Sequence, residues 1–269
     1  MTHPLGQRTI RDFGEQWTKY TDNHGYYASI DLLRDVFGPL LEVEDLIGCR
    51  VAEIGAGTGR FVRLLVDAGA SFVLAVEPSA AVEVLKRNTR DLDRVRYLHA
   101  PGDRIPPTGE FDFVLAIGVL HHVPDPGPIL VAAWHALRPG GTVGIWLYGK
   151  ESNALYLCML SAVVAITRRL PHGLLAAFVW LTYWPVAAYM HACRLLPLPM
   201  AAYMRNVFFR FDRQTRKLVL YDQMNPAYAK YYVAAEARDL LERAGFIDVR
   251  LYHRHGYSWS VTGRRPQDA

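Results

Sequence analysis

The sequence is short of several things, and each shortage narrows what the chain can be. It holds three cysteines in 269 residues, Cys49, Cys158 and Cys193. An odd, scattered set supports neither a disulfide framework nor a zinc cluster, and it points to a reducing compartment. The first residues, Met1-Thr2-His3-Pro4-Leu5-Gly6-Gln7-Arg8, contain no apolar run, so no secretory signal is expected. Between 151 and 209 acidic charge nearly vanishes: Glu151 is the one acid, beside Arg168, Arg169, Arg194 and Arg205. Basic runs with interleaved aromatics are missing too. With a formal net charge of only +4, composition makes no case for a nucleic-acid partner, although an anionic membrane surface would not be opposed.

What is present is enough apolar material, 51% of residues, for a sizeable core. Strand patterns at 50–54, 72–76, 95–99, 111–117 and 142–148 are separated mostly by helical patterns at 59–68, 79–89 and 126–137. Such alternation predicts a parallel, two-sided α/β sheet with right-handed crossovers. Ligands then sit at the carboxyl ends of strands, where the strand order reverses.

The stretch Val51-Ala52-Glu53-Ile54-Gly55-Ala56-Gly57-Thr58-Gly59-Arg60-Phe61 reads as a buried strand, a glycine turn and the start of a helix. Glycines allow the sharp turn and close approach of a ligand, and the helix start offers free N–H groups. A dinucleotide site would hold a third glycine in the ending where this chain has Arg60-Phe61. Glu77, about 20 residues on, stands where an acid reaches a ribose diol; its plainer role is an N-terminal charge on the next helix. Asp103 is a candidate acceptor for an exocyclic adenine amine, or a turn-stabilising aspartate. His121 and His122 end the fourth strand and are candidate general bases, His121 slightly ahead; their plainer roles are packing and helix capping. Tyr26, Tyr27 and Tyr228 are candidate substrate contacts. Alternation along a strand would put His253 and His255 on one face, but no further ligands are evident and no metal is assigned.

Taken in order, Glu53-Ile54-Gly55-Ala56-Gly57-Thr58-Gly59, Glu77, Leu120-His121-His122-Val123-Pro124-Asp125-Pro126 and Leu137-Arg138-Pro139-Gly140-Gly141 resemble the successive motifs of class I S-adenosylmethionine-dependent methyltransferases. Residues 234–246 resemble the late helix and Ala-Gly-Phe segment of that superfamily. The resemblance implies a doubly wound, seven-stranded, mainly parallel sheet, Rossmann-like, with its last strand antiparallel. It implies S-adenosyl-L-methionine as cofactor and S-adenosyl-L-homocysteine as product. By motif, Glu53, Gly55, Ala56 and Gly57 would line the methionine end, Glu77 and Pro78 the ribose, Asp103 the adenine, and Gly118 the sulfonium region. Asn225-Pro226-Ala227-Tyr228 matches the Asn-Pro-Pro-Tyr box of amino methyltransferases only superficially, since that box follows the fourth strand.

Four segments are expected: an N-terminal helical arm or lid over 1–48, the cofactor core over 49–150, an inserted apolar helical cap over 151–210, and the end of the core over 211–269. Three readings of the cap compete: a substrate-binding lid of a soluble domain, a monotopic membrane-facing hairpin through 154–204, and a dimer interface. A single span would put the two halves of the sheet on opposite sides of a membrane. The expected enzyme is a methyltransferase, cytoplasmic or membrane-associated, acting on oxygen of a hydrophobic small-molecule or lipid-type acceptor. Carbon or nitrogen methylation of a natural product or quinone-like acceptor is the nearest alternative. A dinucleotide-dependent oxidoreductase and a non-catalytic cofactor-binding scaffold are the alternatives of another class.

Overall fold

The structure is a computed structural model that describes residues 4–167, 171–225 and 228–268. Seven strands form one sheet: β1 (Arg50–Ile54), β2 (Phe72–Val76), β3 (Val95–Leu98), β4 (Phe111–Ile117), β5 (Leu137–Tyr148), β6 (Ile247–Arg254) and β7 (Ser258–Arg264). Their order is β3-β2-β1-β4-β5-β7-β6, and β7 runs antiparallel to both neighbours. The other pairs are parallel. The chain moves outward from β1 to β3 and returns to β4 on the other side of β1. The reversal opens a crevice at the carboxyl ends of β1 and β4.

Period-two alternation explains why both faces are covered. Ala52, Ile54, Val114 and Ala116 face one core, with Leu130 of α5 (Gly127–Ala136) and Leu241 of α10 (Ala234–Arg243). Val51, Val73, Ala75 and Leu115 face the other. There they meet Phe37 of α2 (Ile30–Phe37), Leu65 of α3 (Arg60–Asp67) and Leu85 of α4 (Val82–Asn88).

Three local readings need correcting. The helix expected over 126–137 stops at Ala136, and the strand expected over 142–148 already begins at Leu137, with Leu137–Gly141 as its irregular start. Leu137 pairs with Phe111, the register then shifts, and Thr142 pairs with Phe113. The fourth helix starts at Val82 instead of near 79, because Ser79 turns its hydroxyl to the Ala81 N–H. His253 and His255 do not share a strand face: β6 ends at Arg254, and His255 adopts φ +47 in the turn beyond it.

The helical arm is α1 (Pro4–Lys19) followed by α2, which Ser29 caps and Gly38, at φ +53, ends. After β5 come α6 (Ala154–Thr167), α7 (His172–Leu195), α8 (Ala201–Asn206) and α9 (Arg213–Met224). Helical structure therefore continues past 210. The polar shift there marks a new helix, which Asp212 starts by accepting from the Gln214 and Thr215 N–H groups at 2.8 and 2.9 Å. The chain rejoins the sheet at Tyr232, whose N–H donates to the Tyr148 carbonyl at 2.9 Å.

α7 lies over α9: Leu175 and Val179 pack against Tyr221 and Met224. Farther along, Met190 packs with Val207, Phe208 and Phe211. Its other side exposes Leu174, Trp180, Leu181 and Trp184, and Leu155 and Met159 of α6 are exposed as well. The stretch Gly173–Leu195 is long and apolar enough to cross a membrane by length and composition. Arg168 and Arg169, the charges between the two apolar runs of the expected hairpin, lie outside the described residues.

Candidate active site

The site grows from the end of β1. Gly55 and Ala56 donate their N–H groups to the Val76 carbonyl at 2.8 and 3.0 Å, which folds the turn back on β2. Gly55 has φ +75, and a Cβ there would overlap Val119. Gly59 precedes α3 at φ +84, where a Cβ would come within 2.8 Å of Leu85 Cδ1. Neither position accepts a side chain without displacing neighbours. The arm and α4 pin the turn from outside: Thr58 Oγ1 donates to Asn23 Oδ1 at 2.9 Å, and Asn88 Nδ2 donates to the Thr58 carbonyl at 2.9 Å.

Around this turn lies a cavity of about 600 Å³. Glu53, Gly55, Ala56, Gly57, Glu77, Pro78, Asp103, Gly118 and His122 all line it. The structure thus brings these nine candidates together, while His121, Tyr26, Tyr228, His253 and His255 are not among the lining residues.

Glu53 is 2% exposed, and its Oε2 has no hydrogen-bond partner. Burial, moderated by Arg60 and reinforced by Glu77, raises its carboxyl well above the ordinary range. Glu77 is anchored at the carboxyl end of β2: Oε2 accepts from Gly57 N–H at 2.8 Å, and Oε1 accepts from Ser79 N–H at 2.9 Å and from the Ser79 hydroxyl. Asp103 is exposed at the rim on a short helical turn beside Pro101. Gly118, at φ +80, bends the chain beside the Trp146 ring.

The histidine pair divides. His121 is fully buried against His122, Trp146 and Tyr148, with ring centroids 4.2, 5.6 and 3.9 Å away. Burial, then the neighbouring His122, hold its pKa well below the ordinary value. It is packing beneath the wall, so the preference for His121 reverses. His122 is on the wall beside Phe13 of α1, 4.7 Å between centroids. Its Nδ1 lies 2.9 Å from the Tyr228 carbonyl, an acceptor, so Nδ1 carries the proton and the lone pair is on Nε2. Burial lowers its pKa to about 4, so the ring is neutral at pH 7.

The far wall comes from the cap and the last strands, and sequence reasoning missed it. Leu218, Val219, Asp222 and Gln223 of α9 face the cavity, with Tyr203 of α8. Their spacing is one helix face, so an acid inside that stripe was the available signal. Asp222 Oδ1 accepts from Gln16 Nε2 of α1 at 2.9 Å. Arg254, buried, bonds Asp35 and the Tyr257 hydroxyl while lining the cavity.

Of the other candidates, Tyr27 lines the cavity under the Arg60 guanidinium, 3.8 Å from its ring. Tyr26 packs on Phe211 and Arg210. Tyr228 contributes its carbonyl to His122. His253 stacks on Trp259 at 4.1 Å, and His255 Nε2 meets Asp35 Oδ1 at 2.6 Å. Among the described residues no group of three or more potential ligands could hold a metal ion. Pro226 and Ala227 lie outside the described residues.

Residues 52–145 match the methyltransferase domain family. That stretch of the chain is a methyltransferase domain. The chain is 37% identical over 116 residues to a tRNA U34 carboxymethyltransferase of Chromohalobacter salexigens, covering 40% of this chain and 35% of that one. It is 25% identical over 168 residues to a ubiquinone biosynthesis O-methyltransferase of Methylococcus capsulatus, covering 61% and 70%. Across most of the curated relatives the chain spans about half of their length. A S-adenosylmethionine-dependent methyltransferase from Aquifex aeolicus shares the fold, with a TM-score of 0.53, 16% identity, and coverage of 94% of this chain and 98% of that one.

The methyltransferase cofactor is S-adenosylmethionine, and the residues present fit it. The unpartnered, buried Glu53 oxygen calls for a donor such as an α-ammonium group. The turn at Gly55 and Gly57 leaves backbone bare for close approach. Pro78, Pro101 and Ile129 offer an apolar slot with Asp103 at its rim.

Proposed function

We propose that the chain transfers a methyl group from S-adenosylmethionine to an oxygen of an apolar small-molecule or lipid-type acceptor. One observation carries this reading: a single cavity runs from the glycine turn to an aromatic wall that β5, the inserted cap and the turn between β6 and β7 build together. When bound, the cofactor supplies a methyl group made electrophilic by its positive sulfur. The chain must hold the acceptor in line and exclude water. In this reading Glu53 and the glycine turn hold the amino-acid end, Glu77 and Pro78 the ribose, and Asp103 the adenine. Gly118 borders the reacting centre through its backbone. Trp146, Tyr148, Tyr203 and Tyr257 surround the acceptor with apolar surface. His122, neutral, puts no cation beside the sulfur and offers Nε2 as a hydrogen-bond acceptor.

The relative named for ubiquinone biosynthesis favours oxygen as the target atom, and the aromatic wall favours a small molecule over the tRNA named for the other. The test is transfer of radiolabelled methyl to a panel of apolar phenols, long-chain alcohols, amines and bulk tRNA. Labelled phenols or alcohols support the reading, and label in tRNA alone contradicts it.

The cap is proposed to rest on an anionic lipid surface. Exposed Trp180, Leu181 and Trp184 of α7 have cations close by: Arg213 sits 4.8 Å over the Trp184 ring, and Lys217, one turn farther along α9, sits 5.5 Å over the buried Tyr183 ring. Apolar surface rimmed by basic side chains is complementary to headgroups above acyl chains.

A further inference from the structure

The cap contributes a carboxylate to the cavity that the methyl-transfer reading leaves idle. Asp222 projects from α9 into the wall it shares with His122, Trp146 and Tyr257. Its Oδ1 has one firm donor, Gln16 Nε2 at 2.9 Å. Gln16 is itself held by Asn225 Nδ2, which donates to its Oε1 at 2.9 Å. On the other oxygen the Tyr148 hydroxyl is 3.5 Å away, a long contact, and that hydroxyl also accepts from Gln223 Nε2 at 2.8 Å. A carboxylate has about four acceptor sites, so Asp222 is oriented but underused. The free capacity faces the cavity, where an acceptor would lie.

We propose that Asp222 receives the proton from a hydroxyl of the acceptor, which makes that acceptor a phenol or comparably acidic hydroxyl on an apolar body. This rests on the methyl-transfer reading. The hydroxyl O–H bond breaks, leaving its proton on Asp222. The oxygen pair forms the bond to the methyl carbon, and the carbon–sulfur bond breaks with its pair on sulfur. Carboxylate and sulfonium become carboxylic acid and thioether, so the site loses one charge of each sign. Delivering the proton to His122 would instead create a cation in an already buried site, which burial opposes.

The surroundings suit this role. Arg60 of α3 favours the ionised form of Asp222, while burial is the larger effect and raises its pKa, which strengthens it as a base. The other titratable groups facing it, Tyr27, Tyr148, Tyr203 and Tyr231, all have pKa values raised chiefly by burial and stay neutral.

The test uses 4-nitrophenol, whose ionised form is yellow, bound to the full chain saturated with S-adenosylhomocysteine. The wild-type carboxylate should hold the bound phenol protonated, so its ionisation midpoint lies above that of the free probe. Asp222→Asn should lower the bound midpoint by about one pH unit or more, leave S-adenosylhomocysteine affinity within twofold, and slow methyl transfer to phenols roughly 10²–10⁴-fold. Asp222→Glu, which keeps the charge, should restore the midpoint and part of the rate. An unchanged midpoint in Asp222→Asn, or a Glu variant indistinguishable from Asn, overturns Asp222 while leaving the methyl-transfer reading standing. A wild-type chain that binds S-adenosylhomocysteine but neither binds nor methylates any phenol overturns the acceptor class, and this inference with it.

Discussion

The Gln16 side-chain amide donates to Asp222 Oδ1 over 2.9 Å, and this bond ties the N-terminal helix to the cap across the cavity. Gln16 is fully buried. Replacing it with leucine leaves Asp222 without its firm donor and Asn225 without its acceptor. Gln16→Leu should lower stability to urea by roughly 1–3 kcal/mol, the usual cost of a buried polar group left unpaired. An unchanged midpoint and slope would mean that the arm does not close the cavity through this contact.

Glu77 joins the glycine turn to the next turn through Gly57 N–H and Ser79 N–H. Glu77→Ala removes both acceptors and the group proposed to hold the ribose. Calorimetric titration should show S-adenosylhomocysteine binding weakened by roughly 1–3 kcal/mol. Equal affinity would remove Glu77 from the cofactor site.

His122 gives a pH signature. Folded, it takes a proton only near pH 4; in the unfolded chain a histidine does so near 6.5. Between these values the unfolded state binds more protons, so stability rises with pH and is lost as pH falls through the window. The slope is about 1.4 kcal/mol per pH unit for one such group. His121, lowered in the same direction, adds to it. Urea unfolding at pH 7 and pH 5 should show wild type losing roughly 2 kcal/mol more than His122→Asn. Equal losses would show that His122 is not held neutral.

Much of this was legible in the residues themselves. β1, β2 and β4 are short apolar runs bounded by turns, and their ordered motifs picked out residues that line the cavity around the glycine turn. The far wall of the cavity was not legible in the same way. Asp222 and Arg254 are distant in sequence from the glycine turn, and only the fold of the cap and the pairing of β6 with β7 carry them to it. His121 and His122 are adjacent and chemically alike, yet one turn of backbone buries the first and exposes the second to the cavity. The expected pairing of His253 and His255 failed for a local reason, since the strand ends between them at Arg254.

The exposed side of α7 leads to a separate expectation. Flotation with vesicles of phosphatidylcholine and phosphatidylglycerol should carry the wild-type chain upward. Trp180→Ser combined with Trp184→Ser should stay at the bottom, and Arg213→Glu with Lys217→Glu should lose binding mainly at low salt. Wild-type chain that stays down with these vesicles, or that sediments as a dimer which Trp180→Ser with Trp184→Ser dissociates, would assign this side to a second copy instead.

The account stands most directly on what occupies the cavity at the end of β1. Calorimetric titration of the intact chain with S-adenosylhomocysteine and, separately, with NADH decides it. The expected result is saturable, one-to-one binding of S-adenosylhomocysteine at micromolar concentration and no binding of NADH. Binding of NADH with none of S-adenosylhomocysteine would contradict the account at its base.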